Sequence, residues 1–381
     1  MRVCFLLNHY ATHQVAHAAP FAFEFSRREP HADVTIACTS DAQRDAALQL
    51  GLVFPGQHAK IVRLQMSLAY RAADVLLSRF VFVAKRGMLA SNLEFFRGFD
   101  AIAAPEKNFL ELRTRFGLTG VRLIHTRHGA GDRKGSFDER AREFDLTLVA
   151  GQKILDRLTE RDLVSEGKIA VVGYPKFDLA DASPPPLFAN ARPTVLYNPH
   201  FDAKVSSWRS HGVAVLDWFA ARRDYNLMFA PHVVLFERAR RHRAQLPRRM
   251  RASNNLRVDL GSAASSDMTY TRAADIYLGD VSSQVYEFIA RPRACVFLNA
   301  HAVRWEGDPH YAHWRFGPVI ERVEQLDKAL VSAQRDSARY EAAQREAFAY
   351  TFSREPGRSA AQRGADAVAE FLRRGRIVSD C

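Results

Sequence analysis

The chain has 381 residues, 47% of them hydrophobic and 25% charged, with a formal net charge of +12. That balance excludes a disordered chain, and the length exceeds what one ordinary core fills, so two domains are expected. Its four cysteines, Cys4, Cys38, Cys295 and Cys381, lack metal or redox spacing, which points to a reduced, cytoplasmic protein without a disulfide framework.

The start, "MRVCFLLNHY", reads as a first strand and not as a signal peptide. Strand-like runs then recur at 33–38, 60–64, 100–104, 121–125, 146–150 and 169–173 after the first at 3–7, with helical patterns between most of them. The stretch 73–99 is dominated by apolar residues but interrupted by Arg79, Lys85 and Arg86. It reads as an amphipathic core helix pair, with an interfacial membrane element as the alternative. No stretch of about 18 uncharged apolar residues occurs, so no segment is expected to span a membrane.

"YPKFDLADASPPPLFANARP" (174–193) is rich in proline and small residues, and the linker is read at 176–193. The alternation restarts at 194–198, 226–230, 256–260, 275–279 and 294–298. Apolar strands alternating with helices indicate parallel sheets covered on both faces. The expected organisation is an N-terminal Rossmann-like domain at 1–175 and a C-terminal one at 194–350. A last helix at 351–381 is expected to pack back on the first domain. Neither half carries GxGxxG after its first strand, so a nicotinamide or flavin site is not expected.

One segment, "ERARRHRAQLPRRMR" at 237–251, holds seven arginines and one glutamate, a net +6 and half the total. It reads either as a solvated helix face or as a contact for anionic lipid or a polyanionic acceptor. No nucleic-acid reader motif accompanies it, so nucleic acid is not expected as a partner.

In open α/β sheets ligands sit beyond the carboxyl ends of the strands. After strand 121–125 comes "HTRHGAGDRKGSF", with His128, Gly129 and the cations Arg127, Arg133 and Lys134. After strand 226–230 comes "PHVVLF", which puts Pro231 and His232 just before a helix. After strand 275–279 come Asp280, a good N-cap or ligand residue, and Ser282 and Ser283 opening a helix that carries Glu287. N–H groups and two hydroxyls at a helix start suit an anion; Glu287 suits ribose hydroxyls. His125 is expected to tuck against its strand. His9 and His13 either touch an acceptor or cover the core.

These blocks, with "RAADIYLGDVSSQVYEFI", "FGPVIERVEQLDKAL" and the tail "FSREPGRSAAQRGADAVAEFL", occur in an order that resembles the CDP-glycerol glycerophosphotransferase family of teichoic-acid enzymes. The resemblance covers roughly 125–372. It implies a GT-B fold, two Rossmann-like domains with a cleft between them. It implies transfer of a polyol phosphate from a CDP-activated donor without a required chelated metal. It places His128 and His232 in catalysis and Ser282 and Ser283 on the donor phosphate. The chain departs from the family at Arg127, where a tryptophan is usual. It departs again at "PHFD" (199–202), where "PTWR" is usual, so His200 is new and Asp202 replaces an arginine. Pro356 stands where an acidic residue is usual. A nucleotide-sugar donor stays open as an alternative.

Transfer to an alcohol needs a base for its proton and cations or N–H dipoles for the charge that develops on the leaving phosphate. His128 is the candidate base, with Asp132 to orient it, and His232 the candidate donor to phosphate. Arg127, Arg133 and Lys134 are candidates to line an anionic cleft. No spacing resembles a zinc site, so no tightly bound metal or cofactor is expected. The expected activity is polyol-phosphate transfer to a glycan or lipid-linked acceptor, by a cytoplasmic protein held peripherally at an anionic membrane surface. The alternatives are a sugar-nucleotide glycosyltransferase, a UDP-sugar 2-epimerase-like enzyme, or a catalytically silent nucleotide-binding scaffold.

Overall fold

A computed structural model describes residues 1–8, 12–77, 83–127, 129–132, 137–179, 184–237, 246 and 253–377. The chain divides into two compact units. Unit 1 comprises Met1–His128, Phe137–Leu179 and Thr351–Cys381; unit 2 comprises Gly129–Ser136 and Ala180–Tyr350.

Unit 1 is built on a seven-stranded parallel sheet: β1 (Arg2–Leu7), β2 (Asp33–Cys38), β3 (Lys60–Arg63), β4 (Ala101–Ala104), β5 (Arg122–His125), β6 (Leu146–Val149) and β7 (Ile169–Val171). Their order is β3-β2-β1-β4-β5-β6-β7. β1 lies near the centre, and Val3 to Leu7 are all fully buried, as a strand covered on both faces requires. On one face Val3, Phe5 and Leu7 meet Phe21 and Phe25 of the Val15–Arg28 helix. The Ala360–Ile377 helix adds Ala361, Ala365, Val368 and Leu372 to that core. Its Asp366 is paired with Arg28 at 2.7 Å. On the other face Cys4, Leu6, Ile102 and Leu123 pack with Met88, Leu89, Phe96 and Phe109.

The apolar stretch at 73–99 thus delivers Met88, Leu89 and Phe96 to the core, while Arg86 reaches Glu111 at 2.8 Å. Arg79 lies outside the described residues.

Unit 2 is a six-stranded parallel sheet: β8 (Thr194–Asn198), β9 (Asn226–Phe229), β10 (Leu256–Val258), β11 (Ile276–Gly279), β12 (Ala294–Leu298) and β13 (Val319–Ile320), in the order β10-β9-β8-β11-β12-β13. Val195, Tyr197, Leu227, Phe229, Ile276, Leu278, Val296 and Leu298 form one face of its core with Trp208, Phe219 and Leu330. Two features differ from the sequence expectation. β13 is an extra edge strand, paired to β12 through Phe297–Val319 and Leu298–Ile320. And Gly129–Ser136 belongs to unit 2, although the chain on both sides of it belongs to unit 1. Most of the basic segment 237–251 lies outside the described residues.

Candidate functional site

In unit 2 the neighbours β9, β8 and β11 bring three segments to one edge: 231–232, 199–202 and 280–283. The middle of this edge is organised by Asp280. Its carboxylate accepts the His200 N–H at 2.9 Å, the Val281 N–H at 2.6 Å, the Ser207 N–H at 2.6 Å and the Ser207 hydroxyl at 2.8 Å. Its carbonyl accepts from the Trp314 indole at 2.8 Å and His313 Nε2 at 3.0 Å. Full burial pushes the Asp280 carboxyl up from its ordinary value, against hydrogen bonds that favour the charged form. Asp280 therefore ties the β8 and β11 turns together; it is neither a helix cap nor an exposed ligand residue.

His200 and His232 stand next to each other on this edge, ring centroids 5.3 Å apart, with Phe201 4.6 Å from His232. The backbone holds each ring in the same way. His200 Nδ1 accepts the Asp202 N–H at 3.0 Å; His232 Nδ1 accepts the Val234 N–H at 3.3 Å. An acceptor Nδ1 leaves the proton of the neutral imidazole on Nε2. Both rings therefore carry an Nε2–H donor. Pro231 is buried, and the His232 N–H donates to the Pro199 carbonyl at 3.0 Å.

Ser282 is buried and accepts from the Gln284 N–H at 3.4 Å. Ser283 occupies the N-cap position of the short Gln284–Phe288 helix, yet its side chain makes no capping hydrogen bond. Glu287 is only 5% exposed, so it is not displayed along an open edge.

The segment from Gly129 to Asp132 lies on this same turn. Gly129 has a φ of +75°, in the left-handed region that glycine adopts at least cost. A Cβ on Gly131 would come 2.9 Å from the Ser283 Cβ, so a side chain there would push the segment away. Asp132 is buried; its carboxylate accepts from the Tyr286 hydroxyl and lies 3.4 Å from His313 Nδ1, and its carbonyl lies 2.7 Å from His310 Nδ1.

Arg127 belongs to unit 1, with a φ of +27° that is unusual for a residue with a side chain. Its guanidinium sits 4.9 Å over the Phe137 ring, and burial pushes its pKa down to about 10. That packing sets it apart from the cations expected to line a cleft. His125 is structural: it stacks on Phe144 at 4.6 Å, with Nε2 3.2 Å from the Pro105 carbonyl. His128, Arg133, Lys134, His9 and the side chain of His13 lie outside what the structure describes. Among the described residues no group of three or more His, Cys, Asp or Glu side chains is placed to hold a metal ion. The participants that sequence reasoning missed are Tyr286, His310, His313 and Trp314. Three of them lie in "HYAHWRF", a run dense in histidine and aromatic residues.

No protein-family model and no curated protein matches the sequence. Solved structures do match. The wall teichoic acid polymerase TagF, in a histidine-to-asparagine variant soaked with CDPG, aligns over 98% of this chain and 89% of its own, at 12% identity and a TM-score of 0.62. A Listeria monocytogenes protein assigned as a UDP-N-acetylglucosamine 2-epimerase aligns over 97% and 94%, at 10% identity and a TM-score of 0.61. A glycosyltransferase from Rickettsia africae aligns over 98% of both chains, at 11% identity and a TM-score of 0.51. The fold is GT-B. In this GT-B chain the edge carrying His200, His232 and the Ser282–Ser283 turn belongs to the second Rossmann-like unit, at the strand ends where such sheets place ligands.

Proposed function

We propose that the chain is a GT-B transferase that moves a polyol phosphate from a CDP-activated donor to a hydroxyl of a glycan or lipid-linked acceptor in cell-envelope polymer synthesis. The observation that carries this reading is His232, an imidazole held by its backbone with an Nε2–H donor at the end of β9, on the same sheet edge as the Ser282–Ser283 turn. Neutral N–H donors of this kind suit phosphate oxygens. In the proposed reaction the acceptor oxygen attacks the donor's β-phosphorus and forms the new P–O bond. The P–O bond to CMP breaks, and CMP leaves with the electron pair. His128 takes the hydroxyl proton; His232, with Ser282 and Ser283, stabilises charge on the phosphates. Side chains and N–H dipoles carry the stabilisation, with no tightly bound cofactor.

A second reading, a UDP-sugar glycosyltransferase or 2-epimerase-like enzyme, is favoured by one specific feature. His200, Phe201 and Asp202 occupy the β8 turn, where the glycerophosphotransferase pattern has an arginine. A thermal-shift series with CDP, CDP-glycerol, UDP and UDP-N-acetylglucosamine separates the two. A ligand at about 100 times its Kd adds about 2.7 kcal/mol, roughly 5–10 °C for a domain of this size. The cytidine ligands are expected to give the larger shift, and CDP-glycerol with acceptor to release CMP. Larger shifts with the uridine ligands overturn the donor assignment. A cytidine shift without CMP release identifies a silent binding scaffold.

A further inference from the structure

We infer that Asp132 is a positioning residue, gripped by Tyr286 and His310 beside His313, so that the Gly129–Asp132 segment following His128 is fixed onto unit 2. The inference rests on the reading of His128 as the base. It adds the device that holds the Gly129–Asp132 segment in register with the Ser282–Ser283 turn.

The loop needs an anchor. Gly129 and Gly131 give it little intrinsic stiffness, and glycine loses more freedom on ordering than any other residue. Yet the placement of a base matters: an error of about 1 Å in a reacting group costs on the order of 10² in rate. The described residues Gly129–Asp132 belong to unit 2. Within them the described contacts converge on Asp132.

Asp132 is 3% exposed. A carboxylate that deep is costly unless its oxygens are satisfied. Oδ2 takes the Tyr286 hydroxyl, itself on a residue only 2% exposed, and lies 3.4 Å from Nδ1 of the buried His313. His313 is fixed from its other side. Its Nε2 is 3.0 Å from the Asp280 carbonyl, which can only accept, so Nε2 carries a proton. By the same logic His310 Nδ1 donates to the Asp132 carbonyl at 2.7 Å. Side chain and main chain of one residue are therefore held from two elements, the Gln284–Phe288 helix and the Pro309–Phe316 segment. The Pro309–Phe316 segment also holds the Asp280 carbonyl, and Asp280 sets the β11 turn. The loop after His128 and the serine turn share a single support. An apolar residue at position 132 would fill the same space at lower cost, but it would not select one register for a glycine-rich loop.

The test compares the parent with Tyr286→Phe, which removes one oxygen, and with Asp132→Asn. Three readouts are used: turnover with CDP-glycerol and acceptor, the thermal shift given by CDP-glycerol, and hydrogen exchange of the peptide spanning 125–137. Both variants are expected to lose about 10- to 100-fold in kcat. The donor-induced shift should stay within about a degree of the parent's, and exchange should rise in that peptide alone. In a His128→Ala background, Tyr286→Phe should have no further effect on turnover, because the residue being positioned is gone. Unchanged exchange in Tyr286→Phe overturns the clamp whatever the donor proves to be. Parental kcat in Tyr286→Phe overturns it too, where His128→Ala has lost turnover. If His128→Ala keeps parental turnover, the base assignment falls instead, and the exchange result still decides whether Asp132 anchors the loop. Should Asp132→Asn fail to fold, Tyr286→Phe carries the test alone.

Discussion

A histidine at a strand end acts according to which of its nitrogens the backbone has already claimed. His125 ends β5, and His200 and His232 follow β8 and β9, yet only the last two have Nδ1 occupied by a backbone N–H two residues on. His125 instead has Nε2 3.2 Å from a carbonyl and its face against Phe144. If His232 works through Nε2–H, the side-chain amide that reaches the same point should substitute in part. The Gln amide extends about as far as Nε2, whereas the Asn amide ends near Nδ1. His232→Gln is therefore expected to retain a measurable share of CDP-glycerol binding and turnover, while His232→Asn should behave like His232→Ala. Equal losses in Gln and Asn would show that the Nε2 position carries no contact. His128→Ala should differ from all three: turnover falls by about 10² to 10⁴ with donor binding little changed, because a base touches the acceptor hydroxyl.

At the scale of elements, the β11 turn is held by hydrogen bonds that the sequence does not display. Asp280→Asn keeps the size of the side chain but turns an amide N–H₂ toward one set of donors, either His200 and Val281 or Ser207. Leaving such buried groups unmatched costs about 1–3 kcal/mol each. A net loss of about 3 kcal/mol is expected, read as a fall in Tm of roughly 6–12 °C. A variant that melts with the parent would mean that the buried carboxylate is not what joins the two turns. An aspartate after a strand looks the same in sequence whether it faces a ligand or four protein donors, and so Asp280 read as a ligand residue. The strands themselves were legible, because long apolar runs between turn signals leave few alternatives; β2, β8 and β12 begin and end where the runs at 33–38, 194–198 and 294–298 do. β13 was not, since two residues carry no periodicity. Nor was the passage of Gly129–Ser136 into unit 2, since a chain that leaves one core and returns carries no mark in its local pattern. That His232 and the serine turn come just after strands was legible. The support beneath them was not, because "HYAHWRF" matches neither a helical nor a strand period.

For the whole molecule the net charge of +12 is the feature that the fold does not use. Many described arginines are paired within the units, as Arg28 is with Asp366 and Arg86 with Glu111. The segment 237–251 contributes +6 with a single glutamate of its own. Among the described residues no helix is long and apolar enough to cross a membrane. The lipid contact expected of that basic segment is electrostatic, and each surface cation near an anionic membrane is worth about 1 kcal/mol. Binding to vesicles of mixed zwitterionic and phosphatidylserine or phosphatidylglycerol lipid is expected to exceed binding to zwitterionic vesicles. It should fall as salt rises, since exposed charges are screened beyond roughly 8 Å at physiological ionic strength. Replacing Arg238, Arg240, Arg241 and Arg243 together by glutamine removes four of the seven arginines and leaves every residue of the β8, β9 and β11 edge in place. That variant is expected to lose most of its vesicle binding while keeping the parent's CDP-glycerol thermal shift. Equal partitioning of the parent to both vesicle types, or undiminished binding by the glutamine variant, would mean that the basic segment is not a lipid contact.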